Sequence, residues 1–152
     1  IDILYIVVST DAVHHDMDAS IFGYAAGEVP GLGIVAFPAD EGLRTTVCKA
    51  IVQAHEKYAL FEGRIASGAQ FIADNATKMR IHTTFYAICC EMEGASIAQA
   101  CWLNDVPFVI IRDISDKADD SKQVEYPVFE KIAAHHSAKV VMLTAAQLAR
   151  AY

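Results

Sequence analysis

The sequence predicts an α/β fold with a mostly parallel or mixed central sheet flanked by helices. Two apolar runs rich in β-branched residues, 3–8 and 108–111, are typical of strands buried on both faces. Segments with apolar residues spaced as on one helix face lie between such runs. Because strand and helix alternate through most of the chain, we expect helices layered on one sheet. With 152 residues, 54% of them apolar, the chain has the length of one domain over residues 1–152.

Local signals place the individual elements. After the first strand, residues 9–38 form a Gly-, Asp- and His-rich connection that is too long for an idle loop. Asp40 is placed to cap a helix that runs to about Tyr58. The further predicted elements are, in chain order, a strand over 63–67, a helix over 75–82, a strand over 86–90, a helix over 94–103, the strand over 108–111 and a last helix from Pro127 to about Arg150.

Composition and charge narrow the class of protein. The net charge is −7 without a stripe of Lys and Arg, which disfavours a nucleic-acid partner. No apolar run approaches the ~18 residues of a membrane span, and the apolar start lacks the basic region and cleavage site of a signal peptide. We therefore expect a cytoplasmic protein without a membrane partner. The cysteines form no CxxC pair, and we expect them to be reduced: Cys48, Cys89, Cys90 and Cys101.

Two acidic motifs, one helix apart, carry the functional signal. They are residues 91–95 (EMEGA) and 112–119 (RDISDKAD). Each directly follows an apolar run, so each is expected where a strand ends, and in open α/β sheets ligands bind outside the carboxyl ends of strands. Two carboxylates at such ends, in a chain without a metal motif, predict acid–base or hydroxyl-binding chemistry on a small polar substrate.

Two histidine-rich stretches are weaker signals. Residues 14–18 (HHDMD) invite a metal-site hypothesis, but adjacent His side chains do not share a face of a strand, and no second ligand cluster accompanies them. We therefore expect neither a metal nor another cofactor. His135 and His136 lie in a polar stretch of the last helix and are expected to be solvated.

Four short motifs follow one another in an order known from one enzyme family. They are residues 7–11 (VVSTD) ahead of a His-Asp loop, 67–72 (SGAQFI), 91–93 (EME) and 114–119 (ISDKAD). On these motifs the chain resembles the nucleoside phosphorylase/nucleosidase superfamily, and within it the 5′-methylthioadenosine/S-adenosylhomocysteine nucleosidases. Two positions depart from the family pattern: Ala69 stands where an Asp is usual, and Asp113 where a small neutral residue is usual.

The resemblance implies an enzyme that splits 5′-methylthioadenosine and S-adenosylhomocysteine into adenine and a thio-sugar, as in methionine salvage, without a cofactor. It also implies a homodimer, because Phe22, Gly23 and Tyr24 with Pro30 match the family's interface loop. Phe22 and Pro30 would then close the pocket of a neighbouring subunit, the alternative being a simple surface loop. Family members carry an N-terminal segment with a Glu that activates water. We expect this chain to be part of a longer protein, or another polypeptide to supply that segment.

Cleavage of a purine N-glycosidic bond passes through a sugar cation, so the leaving base needs a proton and the cation needs a counter-charge. The resemblance implies that Asp116 protonates or hydrogen-bonds N7 of adenine and that Ser115 orients it. The alternative for Asp116 is a capping role after a strand. Glu93 would accept both ribose hydroxyls, and its alternative is to complement the dipole of the following helix.

Arg112 and Glu91 carry alternatives of equal weight. Arg112 either serves the site, by pairing with a carboxylate or positioning water, or forms only an ion pair at a strand end. Glu91 is either structural or helps to place water. Four apolar or aromatic residues match family contacts but would otherwise be assigned to the core or to a helix start: Met92 against the ribose, Phe71 over the purine face, Ile72 with backbone groups at the adenine edge, and Tyr126 near the 5′ substituent.

Two rival functions stay open. A purine nucleoside phosphorylase of the same fold would use phosphate as the nucleophile, although the pattern of residues 114–119 looks like that of the hydrolases. A non-catalytic adenine-nucleoside-binding protein would keep the pocket without turnover. A fragment that buries its core only beside a missing part would instead aggregate.

Overall fold

The computed structural model of the chain describes residues 1–54, 59–117 and 126–150, and the side chains of all of these except 126–130 and 132. In chain order these residues form β1 (Ile6–His14), a short 3₁₀ turn (Ser20–Phe22), β2 (Ala36–Pro38), α1 (Glu41–Ala54), β3 (Leu60–Ser67), α2 (Asn75–Phe85), β4 (Cys89–Glu91), α3 (Gly94–Leu103), β5 (Ile111–Asp113) and α4 (Tyr126–Leu148).

The five strands form one mixed sheet, as the predicted fold class allows. Three of them lie in parallel, with β3 pairing β1 on one side and β4 on the other. The short strands β2 and β5 both pair with β1 in the antiparallel sense. The parallel strands β1, β3 and β4 therefore end at the same edge of the sheet, where their last residues, His14, Ser67 and Glu91, lie in register.

Strand β1 is longer than predicted, because it continues through polar residues that had marked its end. Its register against β3 shifts between Ser9 and Ala12, which is a bulge. The polar groups at the bulge are satisfied: Ser9 Oγ accepts from the amide of Ile110 at 2.8 Å. Asp11 pairs with Arg64 of β3, with Oδ1 2.6 Å from Nε. The prediction of a loop from residue 9 was therefore wrong.

The strand predicted over 108–111, whose continuous apolar run is typical of a parallel strand, was misplaced and has the opposite direction. The observed strand β5 starts at Ile111, and its partner is β1 in the antiparallel sense. The carbonyl of Phe108 instead accepts from the amide of Asp40, at the start of α1. An apolar run indicates that a segment is buried, but it does not indicate which strand the segment pairs with or whether the pairing is parallel or antiparallel.

The core covers both faces of the sheet in three clusters. One lies between β1 and helices α1 and α4, a second between β1, β3 and α2, and a third between β1, β2 and α3. Alternating residues Ile6 and Val8 of β1 serve the first cluster, and beyond the bulge Ala12 and Val13 serve the other two. The predicted arrangement of helices flanking the sheet is confirmed.

Helix ends follow their capping residues. Asp40 Oδ1 accepts from the amide of Leu43 at 2.7 Å, as predicted for the start of α1. Asp74 caps α2 in the same way, through the amide of Thr77 at 2.8 Å. The described part of α1 ends at Ala54, and the predicted extension to Tyr58 lies outside the described residues.

Helix α4 docks on the end of β5 through buried polar groups. The Ser137 hydroxyl donates to the Asp113 carboxylate, and His136 Nδ1 lies 4.0 Å from Asp113 Oδ1. The expectation that His136 is solvated was therefore wrong, while His135 is exposed as expected. The reason is the buried Asp113 carboxylate, since the polar residues of α4 that contact it face the sheet.

Two further findings concern thiols and membranes. All four cysteines are free thiols. Over the described residues, no helix joins the length and the apolar character that crossing a bilayer would require.

Candidate active site

A cleft of about 210 Å³ opens at the sheet edge where β3 and β4 end. We call it the carboxylate cleft. It is lined by Gln70, Phe71, Ile72, Cys90, Glu91, Met92, Glu93, Ser115 and Asp116. Three stretches of chain thus meet: the residues after β3, the β4–α3 junction and the segment after β5. Seven residues singled out from the sequence are brought together here: Phe71, Ile72, Glu91, Met92, Glu93, Ser115 and Asp116.

The apolar residues that line the cleft differ in which atoms they offer to a ligand. Phe71 and Met92 are 55% and 43% exposed, so their side chains are available to a ligand. Ile72 is buried and packs with the α2 cluster, which leaves its backbone, rather than its side chain, for contact.

Asp116 stands on the segment that leaves β5. The Ser115 hydroxyl donates to Asp116 Oδ2 at 3.2 Å. The next residue fixes the segment: Lys78 of α2 donates to the carbonyl of Lys117 at 2.8 Å, and Lys117 itself pairs with Asp2 at 2.9 Å. Asp116 is therefore held at the rim between α2 and the start of the chain.

Glu91 is the most heavily bonded group of the cleft. Its side chain is only 8% exposed. Its carboxylate accepts the amide of Gly94 at 2.9 Å and the amide of Glu93 at 3.1 Å, which are donors at the start of α3. The Ser67 hydroxyl also donates to it, while Ser67 Oγ accepts from the amide of Ala95 at 2.7 Å.

Glycine at position 94 permits this capping arrangement. A Cβ there would lie 2.9 Å from Glu91 Oε1 and 2.9 Å from Ile110 Cδ1. Both atoms belong to packed groups, so a side chain at position 94 would displace the carboxylate from the helix start. The Gly in the EMEGA motif therefore has a packing reason.

Arg112 links the two glutamates. Its Nη2 donates to Glu93 Oε2 at 2.7 Å and also contacts the carboxylate of Glu91. Burial lowers the pKa of the Arg112 guanidinium, yet arginine stays protonated in proteins. Arg112 thus forms an ion pair with both glutamates at the end of β5. Glu93 makes no side-chain capping bond to α3, and its side chain is 63% exposed toward the cleft.

The His-Asp loop seats the residues that follow β3. Asp16 Oδ2 accepts from the amide of Ala69 at 2.7 Å. The His15 ring lies so close to Gly68 that a Cβ there would be 2.4 Å from its Cε1 and Nε2. His15 is 6% exposed, and burial lowers the pKa of its imidazole. Within the described residues, no group of His, Cys, Asp and Glu side chains is arranged to hold a metal ion.

Three predicted site residues, Phe22, Pro30 and Arg112, do not line the carboxylate cleft. Phe22 is 80% exposed on the 3₁₀ turn, and Pro30 is exposed farther along the same loop; neither lines the carboxylate cleft. The base of this loop is tight: Gly27 has φ +81°, and a Cβ there would lie 2.9 Å from side-chain atoms of Phe85 and Val13. Tyr126 begins α4, and its side chain lies outside the described residues.

Sequence reasoning missed Ser67 and Cys90. Ser67 opens the SGAQFI motif, so the motif itself held the signal, whereas nothing in the sequence marked Cys90 as a cleft residue. Cys90, Glu91, Ser115 and Asp116 also line a second groove of about 410 Å³ between β4 and β5. Burial, and then the charge of Asp116, raises the pKa of the Cys90 thiol.

Comparisons with known proteins agree with this geometry. The family model described as the phosphorylase superfamily matches residues 1–148. A 5′-methylthioadenosine/S-adenosylhomocysteine nucleosidase of Exiguobacterium sp. is 39% identical over 147 residues, which are 96% of this chain and 62% of that protein.

Solved structures are similar over the same span. The Neisseria meningitidis 5′-methylthioadenosine/S-adenosylhomocysteine nucleosidase in complex with methylthio-immucillin-A superposes with a TM-score of 0.88 at 36% identity, covering 95% of this chain and 62% of that one. The Colwellia psychrerythraea enzyme in complex with adenine gives 0.89 at 32% identity, covering 97% and 61%. The chain thus spans about 62% of the length of the curated relatives it matches. By its sequence and its fold, the chain belongs to the phosphorylase superfamily.

Proposed function

We propose that this chain hydrolyses the N-glycosidic bond of 5′-methylthioadenosine and S-adenosylhomocysteine, releasing adenine, with Asp116 as the general acid. The observation that carries the proposal is the grouping of Phe71, Glu93 and Asp116, from three separate parts of the chain, around one cleft of about 210 Å³. The bound molecules of the relatives support an adenine nucleoside as the ligand, since one holds methylthio-immucillin-A and another holds adenine.

The purine end of the proposed substrate lies by Phe71, Ile72 and Asp116. An exposed aromatic ring can cover the flat face of a base, and the backbone of a buried residue can bond to its edge. Asp116 then donates or shares a proton at N7, which makes adenine a better leaving group. Ser115, whose hydroxyl lies 3.2 Å from Asp116 Oδ2, orients that carboxyl group.

The ribose end lies by Met92 and Glu93. The Glu93 carboxylate accepts the two ribose hydroxyls, and its negative charge favours the positive charge that develops on the sugar ring. Met92, 43% exposed, packs against the sugar. The family resemblance assigns water activation to a Glu in a segment N-terminal to the first strand. Binding of 5′-methylthioadenosine therefore needs a test of its own, apart from adenine release.

We further propose that the chain forms one domain of a cytoplasmic homodimer, in which Phe22 and Pro30 close the cleft of the partner subunit and Tyr126 lies near the 5′ substituent. The exposed Phe22, which is outside its own cleft, supports this. Light scattering after gel filtration tests it: we expect a dimer, and a shift toward monomer for Phe22→Ser. A monomer at all concentrations would contradict the proposal.

The test of function is adenine release from 5′-methylthioadenosine in phosphate-free buffer. We expect Asp116→Asn to lower the rate by ~10²–10⁴-fold, because the leaving base loses its general acid. The matched control is Asp105→Asn, which neutralises an exposed carboxylate that does not line the cleft and should leave the rate unchanged. A fully active Asp116→Asn variant would refute the role of Asp116.

Two further outcomes separate the rival functions. Release that requires added phosphate would indicate a purine nucleoside phosphorylase, because phosphate would then be the nucleophile. Calorimetric binding of 5′-methylthioadenosine without release, with or without phosphate, would indicate either an adenine-nucleoside-binding protein or an enzyme that needs the family's N-terminal Glu for turnover.

A further inference from the structure

We propose that Glu91 is a positioning residue for ribose recognition: its buried carboxylate, fixed by Ser67 and the first amides of α3, holds Arg112 against Glu93 and so orients the Glu93 carboxylate toward the ribose hydroxyls. This inference rests on the proposed function, because it assigns ribose binding to Glu93. It adds a role for two residues, Ser67 and Glu91, which do not need to touch the substrate.

The fixed end of this chain of contacts is Glu91. Its side chain is 8% exposed and accepts two backbone amides at 2.9 and 3.1 Å. The Ser67 hydroxyl occupies a further position on the same carboxylate. Because those donors belong to β3 and to the start of α3, the carboxylate cannot turn without disturbing two elements.

The free end is Glu93. Its side chain is 63% exposed, so without a partner it would sample several rotamers. Arg112 Nη2 donates to it at 2.7 Å and contacts Glu91 at the same time. A guanidinium is planar and always charged, so an anchored Arg112 restricts where the Glu93 carboxylate can lie.

Charge adds to geometry. A single Arg112 beside a single Glu93 would cancel much of the negative charge that the sugar cation needs. With Glu91 as a second anion, the group of three carries one net negative charge, and Glu93 keeps its attraction for the developing cation. A neutral residue at position 91 would therefore weaken ribose recognition even if the fold were unchanged.

Glu91→Gln separates this role from helix capping. The Gln side chain has almost the same shape and keeps one oxygen for the amide of Gly94, but it lacks the second oxygen and the charge that pairs with Arg112. A loss that comes from capping alone would weaken adenine binding as well. The readout is the ratio of two affinities measured by calorimetry, one for 5′-methylthioadenosine and one for adenine, which has no ribose. We expect about a tenfold weaker affinity for the nucleoside and an unchanged affinity for adenine.

Two additional variants sharpen the test. Glu62→Gln is the matched control, because Glu62 also pairs with an arginine, Arg44 at 3.0 Å, on a surface away from the cleft; it should leave the affinity ratio unchanged. Arg112→Lys keeps the charge but loses the planar fork, and we expect a similar loss of nucleoside affinity. Combined with Glu91→Gln, it should lose no more than the larger single loss, since the two residues act through one path.

If Glu91→Gln lowers the affinities for 5′-methylthioadenosine and for adenine by the same factor, the inference is overturned, since the role of Glu91 is then structural alone. If neither affinity changes, the inference is overturned as well. In both cases the proposed function would stand. If the unaltered chain binds neither ligand, the proposed function fails, and this inference falls with it.

Discussion

The two sides of the carboxylate cleft hold their acidic groups in different ways. On the β4–α3 side, Glu91 is buried and bonded to amides, to a hydroxyl and to Arg112. On the β5 side, Asp116 receives the hydroxyl of its own neighbour, Ser115. The Glu91 side is thus tied to two other elements, β3 and α3, whereas the contact between Ser115 and Asp116 is local to its own segment. The proposed function assigns ribose binding to the first side and proton transfer to the second.

The largest expected effect compares the two sides directly. Asp116→Asn should lower kcat for adenine release by ~10²–10⁴-fold, and Glu93→Gln by roughly 10²-fold, because it removes charge stabilisation but leaves the acid in place. Steady-state kinetics on both variants measures the difference. The comparison breaks if Glu93→Gln costs more kcat than Asp116→Asn.

A side chain added on the β4–α3 side of the cleft should lower the stability of the fold. Gly94→Ala should lower the free energy of unfolding by about 1–3 kcal/mol, because the new Cβ meets packed atoms of Glu91 and Ile110. The control is Gly42→Ala in the first turn of α1, where only one side-chain atom of Asp40 lies near, at 3.2 Å. Urea denaturation of both variants tests this, and an unchanged midpoint for Gly94→Ala would contradict the packing argument.

A smaller effect concerns the pH dependence of stability through His15. Burial, the main cause, holds the pKa of His15 below 6.5 in the folded chain, despite the opposing charge of Asp16. As the pH falls through 6.5, the unfolded chain therefore takes up a proton that the folded chain does not, and stability is lost toward acid pH. Above that pH the contribution is fully present.

The measurement is the urea midpoint at pH 7.5 and at pH 5.5. His15→Gln should reduce the loss between the two pH values, since the titrating ring is gone. His135→Gln, at an exposed position, should show the same loss as the unaltered chain. Equal losses in all three proteins would exclude His15 as the source.

The smallest expected effect concerns the reactivity of the Cys89 thiol and does not involve enzyme activity. Burial raises the pKa of the Cys89 thiol to about 12, so almost none of it is thiolate at neutral pH. Iodoacetamide should modify Cys89 in guanidinium but not in the folded protein, as peptide mass spectrometry would detect. Rapid alkylation of Cys89 in the folded chain would contradict the burial of this thiol at the start of β4.

Elements whose signals are local in the sequence were predicted correctly, whereas elements that depend on contacts between distant residues were not. Helix α3 was predicted with its observed bounds, Gly94–Leu103, because its signals are local. Strand β1 was cut short at residue 8, since the partner that satisfies Asp11 is Arg64, 53 positions away. The direction of β5 was missed for the same reason: it depends on pairing with β1, about a hundred residues earlier.

The same limit applies to the site. The motifs named most of the residues that line the cleft, because each motif is a contiguous stretch. They did not reveal that Ser67, Glu91 and Arg112 form one connected group, since those contacts join residues 24 and 21 positions apart.

The tight base of the loop that carries Phe22 has a consequence for association. Gly27 fits between Phe85 and Val13, and its amide donates to the carbonyl of Met17 at 2.8 Å. In the proposed dimer the base of the loop is therefore ordered before contact, and the exposed side chains of Ile21 and Phe22 have rotamer freedom to lose. Immobilising one side chain costs about 0.5–1.5 kcal/mol, which is far less than folding a whole loop on contact.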